Sequence, residues 1–301
     1  MLSNFWRVEI YFMFAAMTYA EAIKFIEEEL KTIYAEGEAK NIAAWVIEHI
    51  TGTKRTERII HKEKKLNAAQ LTELNNCLQR LKQHEPVQYV LNEAWFYGLK
   101  FYVDKNVLIP RPETEELIEW VITDCKFPID NLFILDIGTG SGCIPVSLKR
   151  KLRRAQVWSC DISEAALQVA GKNATAIGAE INFLHFDFLD RTKWEQLPSF
   201  NIIISNPPYI PEKNKEQMQP NVLNYEPATA LFVPDDNLLI FYRAIADFGK
   251  EKLTTGGLIY LEIHEDLCND VVRLFQSSGY STKIKKDMQG KERMVKTVYS
   301  L

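Results

Sequence analysis

The chain has 301 residues, 47% hydrophobic and 25% charged, with a formal net charge of −4. That length buries a sizeable core and predicts two domains, while the acidic balance argues against a nucleic-acid binder, which is typically basic, and toward a protein partner. Five cysteines without a C-x-x-C pair and five histidines without ligand spacing predict neither a disulfide framework nor a metal site.

Residues 1–17 are expected to be an N-terminal extension. Arg7 precedes an apolar run, Ile10 to Ala16, that is too short to span a bilayer. It superficially resembles an export signal, but nothing downstream is built for an oxidising compartment, and Met17 is a candidate start. Thr18-Tyr-Ala-Glu21 is a capping-box pattern, and Ile23, Phe25, Ile26, Leu30 and Ile33 follow at helical spacing. Ile42, Trp45, Val46 and Ile50 make a second apolar face closed by Gly52. Leu71, Leu74, Cys77, Leu78 and Leu81 make a third, opened by Asn67 and stopped before Pro86. Residues 18–86 are thus predicted to be a small helical bundle with no catalytic constellation. Uncommitted to chemistry, it is the expected grip on a protein substrate, with a spacer role as the alternative.

Residues 87–110 are expected to be a β-hairpin linker, because Trp95-Phe-Tyr97 and Leu99 to Val103 are aromatic and β-favouring around Gly98. It would set Phe101 and the turn Pro110-Arg-Pro-Glu-Thr-Glu115 between the two domains.

From residue 111 to 301 strands alternate with helices, predicting an α/β domain with a doubly wound mixed sheet. Asn131 to Asp136 is a buried strand, followed by Ile137-Gly138-Thr139-Gly140-Ser141-Gly142-Cys143 and a helix. The glycines let backbone approach a ligand. Cys143 stands where G-x-G-x-x-G needs its third glycine, and no G-K-[ST] occurs, so neither a dinucleotide nor a Walker fingerprint is met. Asp136 in the turn would repel a pyrophosphate and welcome an ammonium. A second strand ends in Asp161, at the place of an acid that holds ribose hydroxyls. A third, Ile181 to His185, leads to Asp187-Phe188, suited to bracket an adenine by hydrogen bonding and stacking. Further on, Leu239 to Leu253 and Asp266 to Phe275 read as helices, Gly257 to Ile263 as a strand, and Ser281 to Lys286 with Val295 to Leu301 as a terminal antiparallel pair.

The apolar run Phe200 to Ile204 delivers Asn206-Pro207-Pro208-Tyr209. Two prolines hold Asn206 extended and remove two backbone donors. The Asn206 side-chain oxygen and a neighbouring main-chain carbonyl can then receive both hydrogens of a planar NH2 group, with the Tyr209 ring on its flat face. Such a pocket selects an amide or an aromatic amine and favours the positive charge that grows on nitrogen as it attacks an electrophile.

Together these stretches resemble the class I S-adenosylmethionine-dependent methyltransferases, and within them the HemK-type peptide chain release factor glutamine methyltransferases. The resemblance extends to Glu85-Pro-Val-Gln-Tyr89, Val107-Leu-Ile-Pro-Arg-Pro-Glu-Thr-Glu115, Tyr225-Glu-Pro227 and Lys286-Asp-Met-Gln-Gly-Lys-Glu-Arg293. It implies a Rossmann-like methyltransferase domain over 111–301 that modifies the glutamine of the GGQ motif in class I release factors, in the cytoplasm, with S-adenosylhomocysteine as product and without metal, membrane or stable nucleic-acid binding. It implies a donor site at Asp136, Ile137, Gly138, Thr139, Gly140, Asp161, Asp187, Phe188 and Asn206. Asn206, Pro207, Pro208 and Tyr209 would hold the glutamine, with Phe101 as an aromatic wall and Asn206, Pro207 and Tyr209 as the catalytic group. Pro234-Asp-Asp-Asn-Leu238 departs from the family's glycine and D-G-L at that place, which leaves the conformation of loop 211–237 open. A DNA or RNA amino-methyltransferase would use the same acceptor pair on a flipped base, but it calls for a basic cleft and a recognition insertion, and neither is evident. A cofactor-binding scaffold would not need Asn206 and its prolines.

Overall fold

The computed structural model describes residues 17–299; the expected extension, up to residue 16, lies outside them. The chain divides into two compact units, the first ending at Leu91 and the second beginning at Asn92. Among the described residues no helix is long and apolar enough to cross a membrane.

The first unit is helical: α1 (Tyr19–Leu30), α2 (Glu36–Thr51), α3 (Arg55–Ile60), α4 (Ala68–Leu81) and α5 (Val87–Leu91). Capping boxes start α1 and α4. The Thr18 hydroxyl accepts from the Glu21 amide while the Glu21 carboxylate accepts from the Thr18 amide, and Asn67 with Gln70 repeats the exchange. Gly52 closes α2 at φ +66°. Inward-facing Ile26, Leu30, Ile42, Val46, Leu74, Leu78 and Leu81 share one core. Trp45, expected on that face, is 49% exposed because Ala39, Ile42, Ala43, Val46 and Ile47 already form the buried stripe of α2. Met17, expected in the extension, is buried in the same core, and its carbonyl accepts from the Leu66 amide. Arg80 grips Glu85 and the carbonyls of Tyr89 and Val90. Residues 87–91 are therefore a helix packed in the first unit rather than the start of a hairpin linker.

The second unit opens on a hairpin, β1 (Ala94–Phe96) and β2 (Leu99–Phe101), with Phe96 opposite Leu99. Tyr97 at φ +50° and Gly98 at φ +73° make the two-residue turn left-handed at both positions, which matches the twist of the strands. Then α6 (Pro112–Asp124) begins with Pro112 in its first turn, where a missing N–H costs nothing. The Pro110 to Glu115 stretch, expected as an interdomain turn, is thus largely the first turn of a helix.

The rest is β3 (Phe133–Ile137), α7 (Cys143–Lys151), β4 (Gln156–Asp161), α8 (Glu164–Ile177), β5 (Asn182–His185), β6 (Phe200–Ser205) and β7 (Ile210–Pro211), followed by α9 (Pro220–Leu223), α10 (Ala228–Leu231), β8 (Phe232–Val233) and α11 (Ile240–Lys252). It closes with β9 (Leu253–Glu262), α12 (Cys268–Ser277), β10 (Tyr280–Lys286) and β11 (Glu292–Tyr299). Seven strands form one sheet in the order β10-β11-β9-β6-β3-β4-β5, in which β11 alone runs against its neighbours. The central strands are largely apolar because both faces are covered. Leu135, Ile137 and Ile203 feed one core, and Ile134, Ile202 and Ile204 feed the other.

Strand order reverses between β3 and β6, so the loops that leave them diverge and open a crevice beyond their carboxyl ends. Ile137 and Ser205 are register partners there, and the Ser205 hydroxyl donates to the Ile137 carbonyl at 2.8 Å. The glycine turn and Asn206 consequently begin side by side.

Replacing Asn67 by Ala should lower stability of the first unit by about 1 kcal/mol through loss of the cap. The same substitution at exposed Asn76, inside α4, should cost nothing. Urea unfolding followed by circular dichroism separates the two.

Candidate active site

A cavity of 330 Å³ occupies the crevice, at the lower end of the range for small-ligand sites. Each of four strands contributes to it at its carboxyl end: Gly138 and Gly140 after β3, Asp161 at the end of β4, Asp187 and Phe188 after β5, and Asn206 to Pro208 after β6. The loop after β3 can turn because Gly138 and Gly142 both stand at φ +79°. At Gly142 an added Cβ would lie 3.0 Å from the Ala170 Cβ, so α7 can start close against α8 only with glycine there.

Asp161 holds two loops at once. Its Oδ2 accepts from the Gly140 amide and its Oδ1 from the Ser163 amide, both at 2.9 Å. Phe188 is buried, its ring 5.5 Å from that of Trp194 and 5.3 Å from that of Phe248, so the aromatic wall of the cavity is anchored in the core. Asp187 is exposed at the rim, where it caps the Leu189 amide.

Asp136 and Thr139, expected on the wall, are instead buried beneath the glycine turn. Asp136 and Ser159 are register partners on β3 and β4 and share a buried face, where the Ser159 hydroxyl donates to Asp136 Oδ2 at 2.6 Å. Burial pushes its carboxyl up to about 7, with the Ser159 hydroxyl opposing. Phe101, expected as an aromatic wall, does not line the cavity either. It is fully buried in the core, edge-on to Phe96 at 6.0 Å, and leaves no face for a substrate. The segment that does reach the cavity from that region is Asn106 to Leu108.

A second cavity of 180 Å³ adjoins the first and shares Leu108, Asn206, Pro207 and Ala230 with it. Asn206-Pro207 is therefore part of a wall common to both. Tyr209 and Arg111 line the second cavity, and Met218 and Val222 bring the 211–237 loop against it. That loop is pinned where Pro234-Asp-Asp departs from the family pattern: the Lys213 amide donates to Asp235 at 3.0 Å.

Sequence reading assigned no role to three buried carboxylates, of which Glu226 and Glu262 brace these walls. Glu226 accepts from Arg111 at 2.5 Å and from the Ile109 amide at 3.1 Å, tying the 107–115 stretch to Tyr225-Glu-Pro227. Asp287 accepts from the amides of Gln289 and Lys291, both at 2.9 Å, and faces Arg293. Glu262, last residue of β9, accepts from the Thr114 hydroxyl at 2.6 Å and from the Tyr209 hydroxyl at 3.5 Å; Asn206 Nδ2 in turn donates to Thr114 at 3.2 Å. Burial pushes the Glu262 carboxyl up to about 7, with Thr114 and Arg293 pulling the other way. The one signal in the sequence was an acid closing an apolar strand.

Unfolded carboxyls titrate near 4, so between about pH 4 and 7 the folded protein holds protons on Asp136 and Glu262 that the unfolded chain has released. Their stabilising contribution is full below that window and lost as pH rises through about 7. Asp136→Asn and Glu262→Gln should each lose less stability than the parent between pH 5 and 8. Urea midpoints across that range check it, since all other titrations cancel in the difference.

Residues 21–91 match the family described as the PrmC N-terminal domain, and residues 125–239 match the methyltransferase small domain. The release factor glutamine methyltransferase of Flavobacterium psychrophilum is 41% identical over 272 residues, covering 89% of this chain and 95% of that protein. Its counterpart from Bacteroides thetaiotaomicron is 39% identical over 272 residues, covering 90% and 96%. Among solved structures, the hMettl16 catalytic domain in complex with MAT2A 3′UTR hairpin 6 aligns with a TM-score of 0.52 over 78% of this chain and 82% of that one; at 14% identity it shares the fold alone. Methyltransferases of this family use S-adenosylmethionine. Identity at that level over nearly the whole length places the chain in the release factor glutamine methyltransferase family.

Proposed function

We propose that this protein transfers a methyl group from S-adenosylmethionine to the side-chain amide nitrogen of the GGQ glutamine in class I peptide chain release factors, in the cytoplasm, leaving S-adenosylhomocysteine. The observation that carries the reading is the wall formed by Asn206-Pro207 between two adjoining cavities, one bordered by the glycine turn and Asp161, the other by Tyr209.

The donor-side residues fit an adenosine-bearing ligand. The glycine turn offers backbone close at hand, Asp161 keeps lone pairs for ribose hydroxyls, and Phe188 with Asp187 flank an adenine-sized space. When bound, the donor supplies an electrophilic methyl group on a positively charged sulfur. On the other side of the wall, the chain has to make an amide nitrogen reactive, and such a nitrogen is a poor nucleophile because its lone pair is delocalised. Asn206 Oδ1 and a nearby main-chain carbonyl accept its two hydrogens, orient it and stabilise the positive charge that grows on it. Tyr209 flanks the amide plane. No base has to remove a proton before attack.

The helical unit is the proposed grip on the release factor, because one glutamine side chain offers too little surface to distinguish proteins. Its exposed Trp45, together with Ile59 and Ile60, is available to such a partner.

Asn206→Ala should leave donor affinity nearly intact and lower single-turnover methyl transfer by about 100-fold. Asp161→Ala should instead weaken donor binding by about 1.5–3 kcal/mol. Calorimetry with the donor and labelled methyl transfer to a release factor distinguish the two, and normal single-turnover rates for Asn206→Ala would remove it from the site.

For the helical unit, Trp45→Ala should lower kcat/KM on an intact release factor while leaving that on a short GGQ peptide unchanged. An equal loss on both substrates would mean that the unit only stabilises its neighbour.

A further inference from the structure

We propose that Glu262 and Thr114 are positioning residues that determine which way the Asn206 amide faces, an inference that rests on the methyl-transfer reading above. Three elements converge here: Thr114 lies in the first turn of α6, Glu262 at the end of β9 and Asn206 directly after β6. Thr114 is 2% exposed and Glu262 1% exposed, so water does not compete for their hydrogen bonds.

The polarity of the chain follows from counting protons. A carboxylate only accepts, and a threonine hydroxyl has one proton to give. At 2.6 Å, in a charge-assisted bond, the hydroxyl directs that proton at Glu262 Oε2. Thr114 then presents only lone pairs to Asn206, and the one Asn206 group that can bind them is its NH2, 3.2 Å away. With Nδ2 committed, Oδ1 is left for the wall between the two cavities, which Asn206 borders on both sides. A flipped Asn206 would instead meet the acceptor amide donor against donor.

The arrangement requires Glu262 to be ionised. Arg293 favours the anion; burial and Glu113 disfavour it; the Tyr209 hydroxyl approaches Oε1 at 3.5 Å, and the Tyr242 hydroxyl takes the main-chain carbonyl rather than the carboxylate. Once protonated, Glu262 has its own proton to donate, the Thr114 hydroxyl is released to turn toward Asn206, and the amide is no longer held one way.

The test is methylation of an intact release factor with both substrates saturating, from pH 6 to 9, with donor affinity measured in parallel. Thr114→Val should lower kcat by about 100-fold, the scale of a misplaced reacting group, without changing donor affinity, and Thr114→Ser should recover most of that loss. In Glu262→Gln, Tyr209 donates at the Oε1 position and so draws the carboxamide oxygen there. The NH2 then faces Thr114 and the chain is reversed, so kcat should be low and flat, whereas the parent's kcat falls as pH drops through about 7. A Thr114→Val enzyme with parental kcat overturns the proposal, as does a Thr114→Ser enzyme no better than Thr114→Val, or a Glu262→Gln enzyme that retains the parental pH limb. If Thr114→Val does not fold, the Thr114→Ser rate and the Glu262→Gln profile still decide. A parent protein that methylates no release factor removes the parent reading itself, a result distinguishable from all of these.

Discussion

The parallel pairing of β3 with β6 is the constraint on which the rest of this structure depends. It is the single place in the sheet where strands from the two halves of the doubly wound fold lie adjacent, and the loops leaving their carboxyl ends turn in opposite directions. One loop turns through glycines toward α7, and the other is stiffened by consecutive prolines. Because Ile137 and Ser205 share a register position, the two loops start a strand spacing apart, about 5 Å. A ligand bound by the first is thereby within reach of a group held by the second. No single residue makes that proximity; it is a property of strand order.

Around this crevice the protein invests in buried carboxylates rather than exposed ones. Glu226, Glu262 and Asp287 are each at most 6% exposed; the first two are met by donors from distant stretches of chain, and Asp287 by donors of its own turn. A buried carboxylate left unpaired is costly, so each one enforces the approach of its partners. Arg111 and the Ile109 amide are drawn to Glu226, and Thr114 and Tyr209 to Glu262. The turn that Asp287 closes sets Arg293 beside Asp287 and near the Ile263 carbonyl. Glu226 and Glu262 act as anchors for walls, and of the three acids only Glu262 is tied by hydrogen bonds, through Thr114, to the Asn206 amide.

The loop from Pro211 to Asp236 is built of short helices and strands, and it is not loosely attached. Short strands β7 and β8 pair in parallel across its base, and Asp235 receives the Lys213 amide. The stretch that departs from the family pattern thus still closes the loop, through the Asp235 side chain. Met218 and Val222 come against the smaller cavity as a result.

Much of this was legible in the amino-acid sequence because it depends on local rules. Apolar periodicity located the three longer helices of the first unit, a capping box marked Thr18, and alternating strands and helices announced the doubly wound sheet. Glycines at 138, 140 and 142 and the run Asn206 to Tyr209 specified a chemistry, since few other arrangements use those residues in that order. Misreadings arose where a local pattern was compatible with two environments. Phe101 looks the same whether it faces a cavity or a core, and Met17 the same whether it ends an extension or packs into a bundle. Asp136 at a strand end reads as a ligand-facing acid until the neighbouring strand supplies Ser159. Residue types and turn chemistry belong to the sequence alone, as does the motif on which the proposed role of Asn206 rests. The burial of Glu262, the direction of the hydrogen bonds running from it through Thr114 to Asn206, and the wall shared by two cavities were decided only by tertiary structure, because they depend on which distant segments the sheet order brings together.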